Sequence, residues 1–133
     1  MGDLTELLAD TSTRIAVVGA TDDSAKYGSV VYRDLKRKGY RVMAVNPNRT
    51  TVDGDPTYPD LASLPEPPDI VDLVVPADQG EKVVRQAADL GYRRIWLQPG
   101  ADSPALLALL QELDLDYIAD ACIMVASRLR LAR

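Results

Sequence analysis

Apolar positions along the chain alternate between two patterns. Short unbroken runs of strand length are separated by longer stretches in which apolar residues recur every three or four positions. The first run, "RIAVVG", halts at Gly19, as expected of a strand buried on both faces. "SVVYRDLKRKG" then places Val30, Val31 and Leu35 on one side of a helix that starts near Tyr27 or Gly28 and stops at Gly39. "YRVMAV" is a second strand ending at Asn46-Pro47. These segments make one β-α-β unit with a right-handed crossover.

The same alternation continues after "NPNRTTVDGDPTYPDLASLPEPPD", which reads as loop with an edge strand near Thr57-Tyr58 and a helical turn from Leu61 to Leu64. "IVDLVVP" is the next buried strand, and "DQGEKVVRQAADLG" the next helix, with Val83, Val84, Ala87 and Leu90 inward. "RRIWLQPG" gives another strand and loop. "SPALLALLQELD" is a helix capped by Ser103 with Pro104 in its first turn. "DYIADACIM" reads as a last short strand that runs into the basic tail "SRLRLAR". Near the start, Leu4, Leu7 and Leu8 mark an amphipathic helix. The expected fold is α/β: a three-layer, doubly wound, mostly parallel, Rossmann-like sheet in a single domain. It comprises an N-terminal helix over 1–13, sheet and helices over 14–120, and a C-terminal extension over 121–133. The expected strand order is 3-2-1-4-5.

Composition narrows the function. The 133 residues carry a formal net charge of -5, with a pI near 4.6, which opposes broad binding to a nucleic-acid backbone. A phosphate partner must therefore be gripped locally. Cys122 is the sole cysteine, so no internal disulfide forms and a reducing, cytoplasmic setting is expected. The chain has no histidine, the common catalytic base and metal ligand, and no metal site is expected. No apolar stretch approaches the roughly 20 residues of a membrane span, so no membrane partner is expected.

In a doubly wound sheet, ligands bind beyond the carboxyl ends of the strands where the strand order reverses. The candidates are then Gly19, Ala20 and Thr21, Asn46, Pro47 and Asn48, Val75, Pro76 and Ala77, and Gln98. Gly19 allows a sharp turn, and a helix start near Gly28 turns its free N–H groups toward an anion. A side chain at Gly19 is expected to block that anion while sparing the fold. A dinucleotide fingerprint fails, because Thr21 stands where a second glycine is needed and no acid follows the second strand. NADP is less excluded, since Arg49 could meet a 2′-phosphate. A Walker loop is absent, though Lys26 could neutralise a diphosphate. Asp22 and Asp23 add negative charge to the loop unless Asp22 or Ser24 caps the next turn.

"IAVVGATDDSAKYGSVVYRDLKRKGYRVMAVNPN", "PDIVDLVVPAD", "IWLQPG" and "DYIADACIMV" together resemble small stand-alone coenzyme A-binding domain proteins, akin to the CoA-binding domain of the succinyl-CoA synthetase alpha subunit. The likeness runs from about Arg14 to Leu129. It implies a diphosphate loop at Gly19, Ala20, Thr21, Lys26, Tyr27 and Gly28. It places the adenosine 3′-phosphate beside Asn46, Pro47, Asn48 and Arg49, and the adenine and the start of the pantetheine arm along Val75, Pro76 and Ala77. The chain departs from many members in having Val125-Ala126-Ser127 where an acid and a histidine follow the cysteine motif. Lacking a histidine, it cannot follow the phosphohistidine route of the synthetases.

The leading expectation is a non-enzymatic module that binds CoA or acyl-CoA as carrier, sensor or thiol-protecting partner. The alternatives are a small NADP- or nucleotide-dependent enzyme and an interaction subunit with a vestigial crevice. Cys122 is either a small buried hydrophobe or a thiol placed for a mixed disulfide with CoA. Asp72, Asp78, Asp102 and Asp120 are candidate acid-base groups, and Asp120, directly before Ala121-Cys122, is either such an acid or a turn cap. A homodimer is the default assembly.

Overall fold

The computed structural model describes residues 4–132. Arg14–Val18 forms β1, Tyr27–Arg37 α1, Arg41–Val45 β2, Thr51–Val52 β3 and Asp55–Tyr58 β4. Ile70–Leu73 forms β5, Ala77–Asp89 α2, Arg94–Leu97 β6, Pro104–Glu112 α3, Asp116–Ile118 β7 and Ile123–Leu131 α4. The sheet order is β3-β4-β2-β1-β5-β6-β7, with every pairing parallel except the β3–β4 hairpin. The doubly wound expectation therefore holds, and the order reverses between β1 and β5.

Alternation along the central strands sorts the core into two layers. Ile15, Val17, Ile70 and Trp96 face α1, the N-terminal segment and α4, where Val31, Tyr32, Leu35, Leu8 and Ile123 meet them. Ala16, Val18, Val71, Leu73 and Ile95 face α2 and α3, against Val84, Ala87, Leu106 and Leu110. The expected cap at α3 is present, with the Ser103 hydroxyl accepting from the Leu106 N–H at 3.0 Å.

Several expectations change at the margins. The N-terminal helix is a 3₁₀ segment, Leu4–Ala9, whose Leu4 and Leu8 are buried. Val30 and Leu90, expected inward, are exposed. Thr57-Tyr58 belongs to β4, which is not the edge; Asp53 and Gly54, both at positive φ, turn the chain into β3 outside it. Paired positive φ values are what a tight hairpin turn of the right twist requires, and Asp-Gly supplies them cheaply. β5 ends at Leu73, so Val74 and Val75 already belong to the loop above it. The last strand is only Asp116–Ile118, and the basic tail is not an extended exit but helix α4. α4 is fastened by Lys38 of the α1 terminus, whose Nζ donates to the Met124 carbonyl at 2.7 Å and to Ser127 Oγ at 2.8 Å. No helix of the described residues is long and apolar enough to cross a membrane.

The start of α1 sits directly on the end of β1. A Cβ added at Gly28 would fall on the Gly19 carbonyl oxygen. Glycine costs a helix about 1 kcal/mol relative to alanine, so propensity alone favours alanine here, and the backbone contact decides otherwise. Gly28→Ala is expected to lower stability by about 1–3 kcal/mol despite its better helix propensity. Urea unfolding measures this, and an unchanged or higher midpoint would contradict the contact.

Candidate functional site

A crevice of about 990 Å³ opens above the carboxyl ends of β1, β2 and β5. Its floor is Val18, Gly19 and Val45, one wall is the start of α1, and the opposite wall is α2. Of the residues expected from sequence, Gly19, Thr21, Lys26, Tyr27, Gly28, Asn46, Pro47, Asn48, Arg49, Val75 and Pro76 line it. Ala20, Ala77 and Gln98 do not. Ala20 is fully buried in the core, Ala77 packs as the first residue of α2, and Gln98 is buried beside Cys122.

The loop is held in shape by its own backbone. Gly19 has φ +104°, and its N–H donates to the Val45 carbonyl at 2.9 Å. Asn46 Nδ2 donates to the Ala20 carbonyl at 2.9 Å, and Asn46 Oδ1 accepts from the Asn48 N–H at 2.9 Å. Asn46 is thus a brace that joins the β1 loop to the β2 end. A Cβ at Gly19 would lie 2.7 Å from the Val74 carbonyl oxygen and 2.9 Å from Val75 Cγ1. A side chain there strains the fold itself, contrary to the expectation that it would spare it.

The acidic pair is accounted for. Asp22 Oδ1 accepts from the Asp53 N–H at 2.8 Å, and Asp23 Oδ1 accepts from the Ala25 N–H at 3.0 Å. Asp23, rather than Asp22 or Ser24, caps the turn, and neither aspartate lines the crevice. α1 begins at Tyr27 with no side-chain cap, as does α2 at Ala77. Both helix starts keep open N–H donors and a positive end of the dipole.

Three cations line the crevice: Lys26, Arg49 and Lys82. Among the described residues none of them enters an ion pair. Lys82 lies beyond the strand ends that the sequence singles out, as do Gln79 and Gln86 on the same helix. Their spacing of three and four marks one face of α2, a signal legible once Pro76 is taken as the residue before the helix. Gln86 Oε1 accepts from the Leu61 N–H at 3.1 Å and fixes the loop after β4. Asp60, the carboxylate in the lining, is occupied by the Ser63 N–H and hydroxyl at 3.0 and 2.7 Å.

Beside the α1 wall, Tyr27 Oη lies 2.9 Å from Cys122 Sγ, and Gln98 Nε2 lies 3.5 Å and 3.8 Å from these two atoms. Gln98 Oε1 accepts from the Ile123 N–H at 3.1 Å, so the amide orientation is fixed by the start of α4. Burial pushes the Cys122 thiol up, but the Tyr27 hydroxyl, the N–H groups of Val125 and Met124, and Gln98 together bring it below its ordinary value. Burial, and then the contact with Cys122, push the Tyr27 phenol up to about 12. Asp120 is exposed, at φ 57°, in the turn before this cluster.

The family model for the CoA binding domain matches residues 13–128. A 72-residue stretch is 35% identical to the ADP-forming acetate–CoA ligase I of Archaeoglobus fulgidus, covering 54% of this chain and 10% of the ligase. The chain thus spans about a tenth of that relative. A conserved hypothetical protein from Pyrococcus furiosus superposes with a TM-score of 0.82 at 37% identity, over 85% of this chain and 97% of the other. A Thermus thermophilus structure superposes at 0.83 with 30% identity, over 97% and 99% of the two chains.

Asp72 of β5 is fully buried, and neither carboxyl oxygen has a hydrogen-bond partner. Burial, and then Cys122, raise its carboxyl well above the ordinary 3.8. The native state therefore keeps a proton that the unfolded chain releases above about pH 4, so stability falls as pH rises from there toward the native value. In urea unfolding at several pH values, Asp72→Asn is expected to remove that decline and to gain on the parent most at the higher pH. Parallel pH dependences for the two proteins would contradict a buried, protonated Asp72.

Proposed function

Because the chain belongs to the CoA binding domain family, we propose that its crevice holds coenzyme A or an acyl-CoA, and that the domain binds this ligand without turning it over. In this reading it serves as carrier, sensor or thiol-protecting module. The observation that carries the reading is an uncapped helix start, seated on Gly19, facing a crevice with three unpaired cations. CoA brings a diphosphate, a 3′-phosphate, a flat adenine and a flexible arm. The diphosphate suits the N–H groups at Tyr27 and Gly28 with Lys26 beside them. Arg49 at the end of β2 suits the 3′-phosphate, and Val75 and Pro76 offer an apolar face to adenine without stranding a polar group. Lys82, across the crevice on α2, adds a third cation to the lining. The lone cysteine fits a reducing, cytoplasmic setting.

Calorimetric titration of reduced protein with CoA, dephospho-CoA, NADP and ATP tests this, and CoA is expected to bind tightest, with no turnover of acyl-CoA or nicotinamide. Hydrogen bonds to charged groups contribute about 1.5–3 kcal/mol, and an exposed arginine belongs at the low end. Arg49→Ala is thus expected to weaken CoA about ten-fold while leaving dephospho-CoA nearly unchanged. Equal losses would remove Arg49 from the 3′-phosphate, and a preference for NADP would overturn the assignment of the crevice.

A further inference from the structure

Asp72 lacks any use in the crevice, yet it is the least comfortable group in the molecule. In the sheet it pairs with Val17 of β1 and Trp96 of β6, both of which face the α1 and α4 layer. Its carboxyl therefore projects into the layer of α1 and α4, the helices that carry Tyr27 and follow Cys122. Buried carboxyl oxygens without partners are rare, since each forgoes the hydrogen bonds it had in water. Above it Cys122 is half-buried at the start of α4, with the Tyr27 hydroxyl 2.9 Å from its sulfur. Trp96 Nε1 donates to the Ala121 carbonyl at 2.8 Å, which fixes the backbone just before the thiol.

We infer that Cys122 is a thiol–disulfide exchange site for the pantetheine sulfur of CoA, set between the Tyr27 hydroxyl and the Gln98 amide above the buried Asp72 carboxyl. This rests on the reading of the crevice as a CoA site. Tyr27 joins the two places: its backbone is at the helix start that faces the diphosphate, and its hydroxyl touches the sulfur. An extended pantetheine arm is longer than a tyrosine side chain and so suits that separation. The thiolate receives the Tyr27 O–H, the Gln98 N–H and the N–H groups that open α4. Asp72 has no donor to support a negative charge, so it keeps its proton and does not oppose the thiolate. The titratable groups that face Cys122 are Tyr27 from α1 and Asp72 from β5.

The co-reactant is a low-molecular-weight disulfide that contains CoA. The Cys122 thiolate attacks the CoA sulfur, a Cys122–CoA disulfide forms, and the original S–S bond breaks. The leaving sulfur departs with the electron pair as a thiolate and takes a proton from water. Cys122 is oxidised and the leaving thiol reduced, so electrons balance and no other oxidant enters.

Reduced protein incubated with CoA disulfide, and separately with glutathione disulfide, and read by intact mass after acid quench, tests the inference. The expected product is one CoA per chain, reversed by dithiothreitol, absent in Cys122→Ser, and formed about ten-fold or more faster than the glutathione adduct. Equal rates, or no CoA adduct in a protein that binds CoA by calorimetry, overturn this inference alone. Loss of calorimetric CoA binding together with unselective exchange overturns the functional reading as well. Iodoacetamide alkylation, which needs no CoA, reads the positioning groups. Tyr27→Phe is expected to move the alkylation profile to higher pH, while Asp72→Asn leaves it in place between about pH 6 and 8. An unmoved Tyr27→Phe profile would remove the hydroxyl from the site. A profile shifted to lower pH in Asp72→Asn would show that Asp72 carries charge, contrary to the role given it.

Discussion

The crevice depends on one contact, the seating of Gly28 against the carbonyl of Gly19. A parallel strand ends with its backbone exposed, and a helix that follows it ordinarily stands off by the width of a side chain. Here two glycines, nine positions apart, let the backbone of α1 come down onto the end of β1. The uncapped N–H groups of the helix are thereby carried over the sheet edge and held beside the reversal of strand order. Neither glycine tolerates a side chain, Gly19 because of Val74 and Val75, Gly28 because of Gly19. The geometry that opens these N–H groups to the crevice is therefore also part of the packing.

Around that contact the polar groups divide their labour. Asn46 and Gln86 are braces, each engaged with backbone. Asp22 and Asp23 fix the loop and the β3–β4 turn, which leaves the lining cationic. In this chain of net charge -5, the excess of acids therefore lies on other surfaces. The second cluster, Tyr27, Gln98 and Cys122 over Asp72, shares only Tyr27 with the crevice.

The alternation of runs and helical spacing makes the strands, the helices and the two helical layers legible, because strands buried on two faces leave an apolar signature, while the strand order follows from the doubly wound fold class. The hairpin is not legible although Asp53-Gly54 carries its signal, since a two-residue strand has too few residues to show alternation. α4 reads as a tail in the sequence because its apolar residues, Ile123, Met124, Val125, Leu129 and Leu131, do not line one clean stripe. What makes it a helix is tertiary: Lys38, the N-terminal segment and the core around Ile123. In the crevice, residues adjacent to strand ends could be named from position alone. Lys82 and Gln79 could not, because they lie within α2 on its crevice-facing side rather than at a strand end. Gln98 sits at a strand end as expected but turns beneath Tyr27 and Cys122, a choice of side that the sequence does not encode locally.

The central claim is that CoA lies along the open start of α1 and reaches the ends of β2 and β5. Hydrogen–deuterium exchange of the reduced protein with and without saturating CoA tests it most directly. The account predicts slower exchange at 19–28, 46–49 and 77–83, with α3 unchanged. Protection that spares 19–28, or that gathers instead around the hollow between Tyr32, Tyr40 and Asp55, would contradict it.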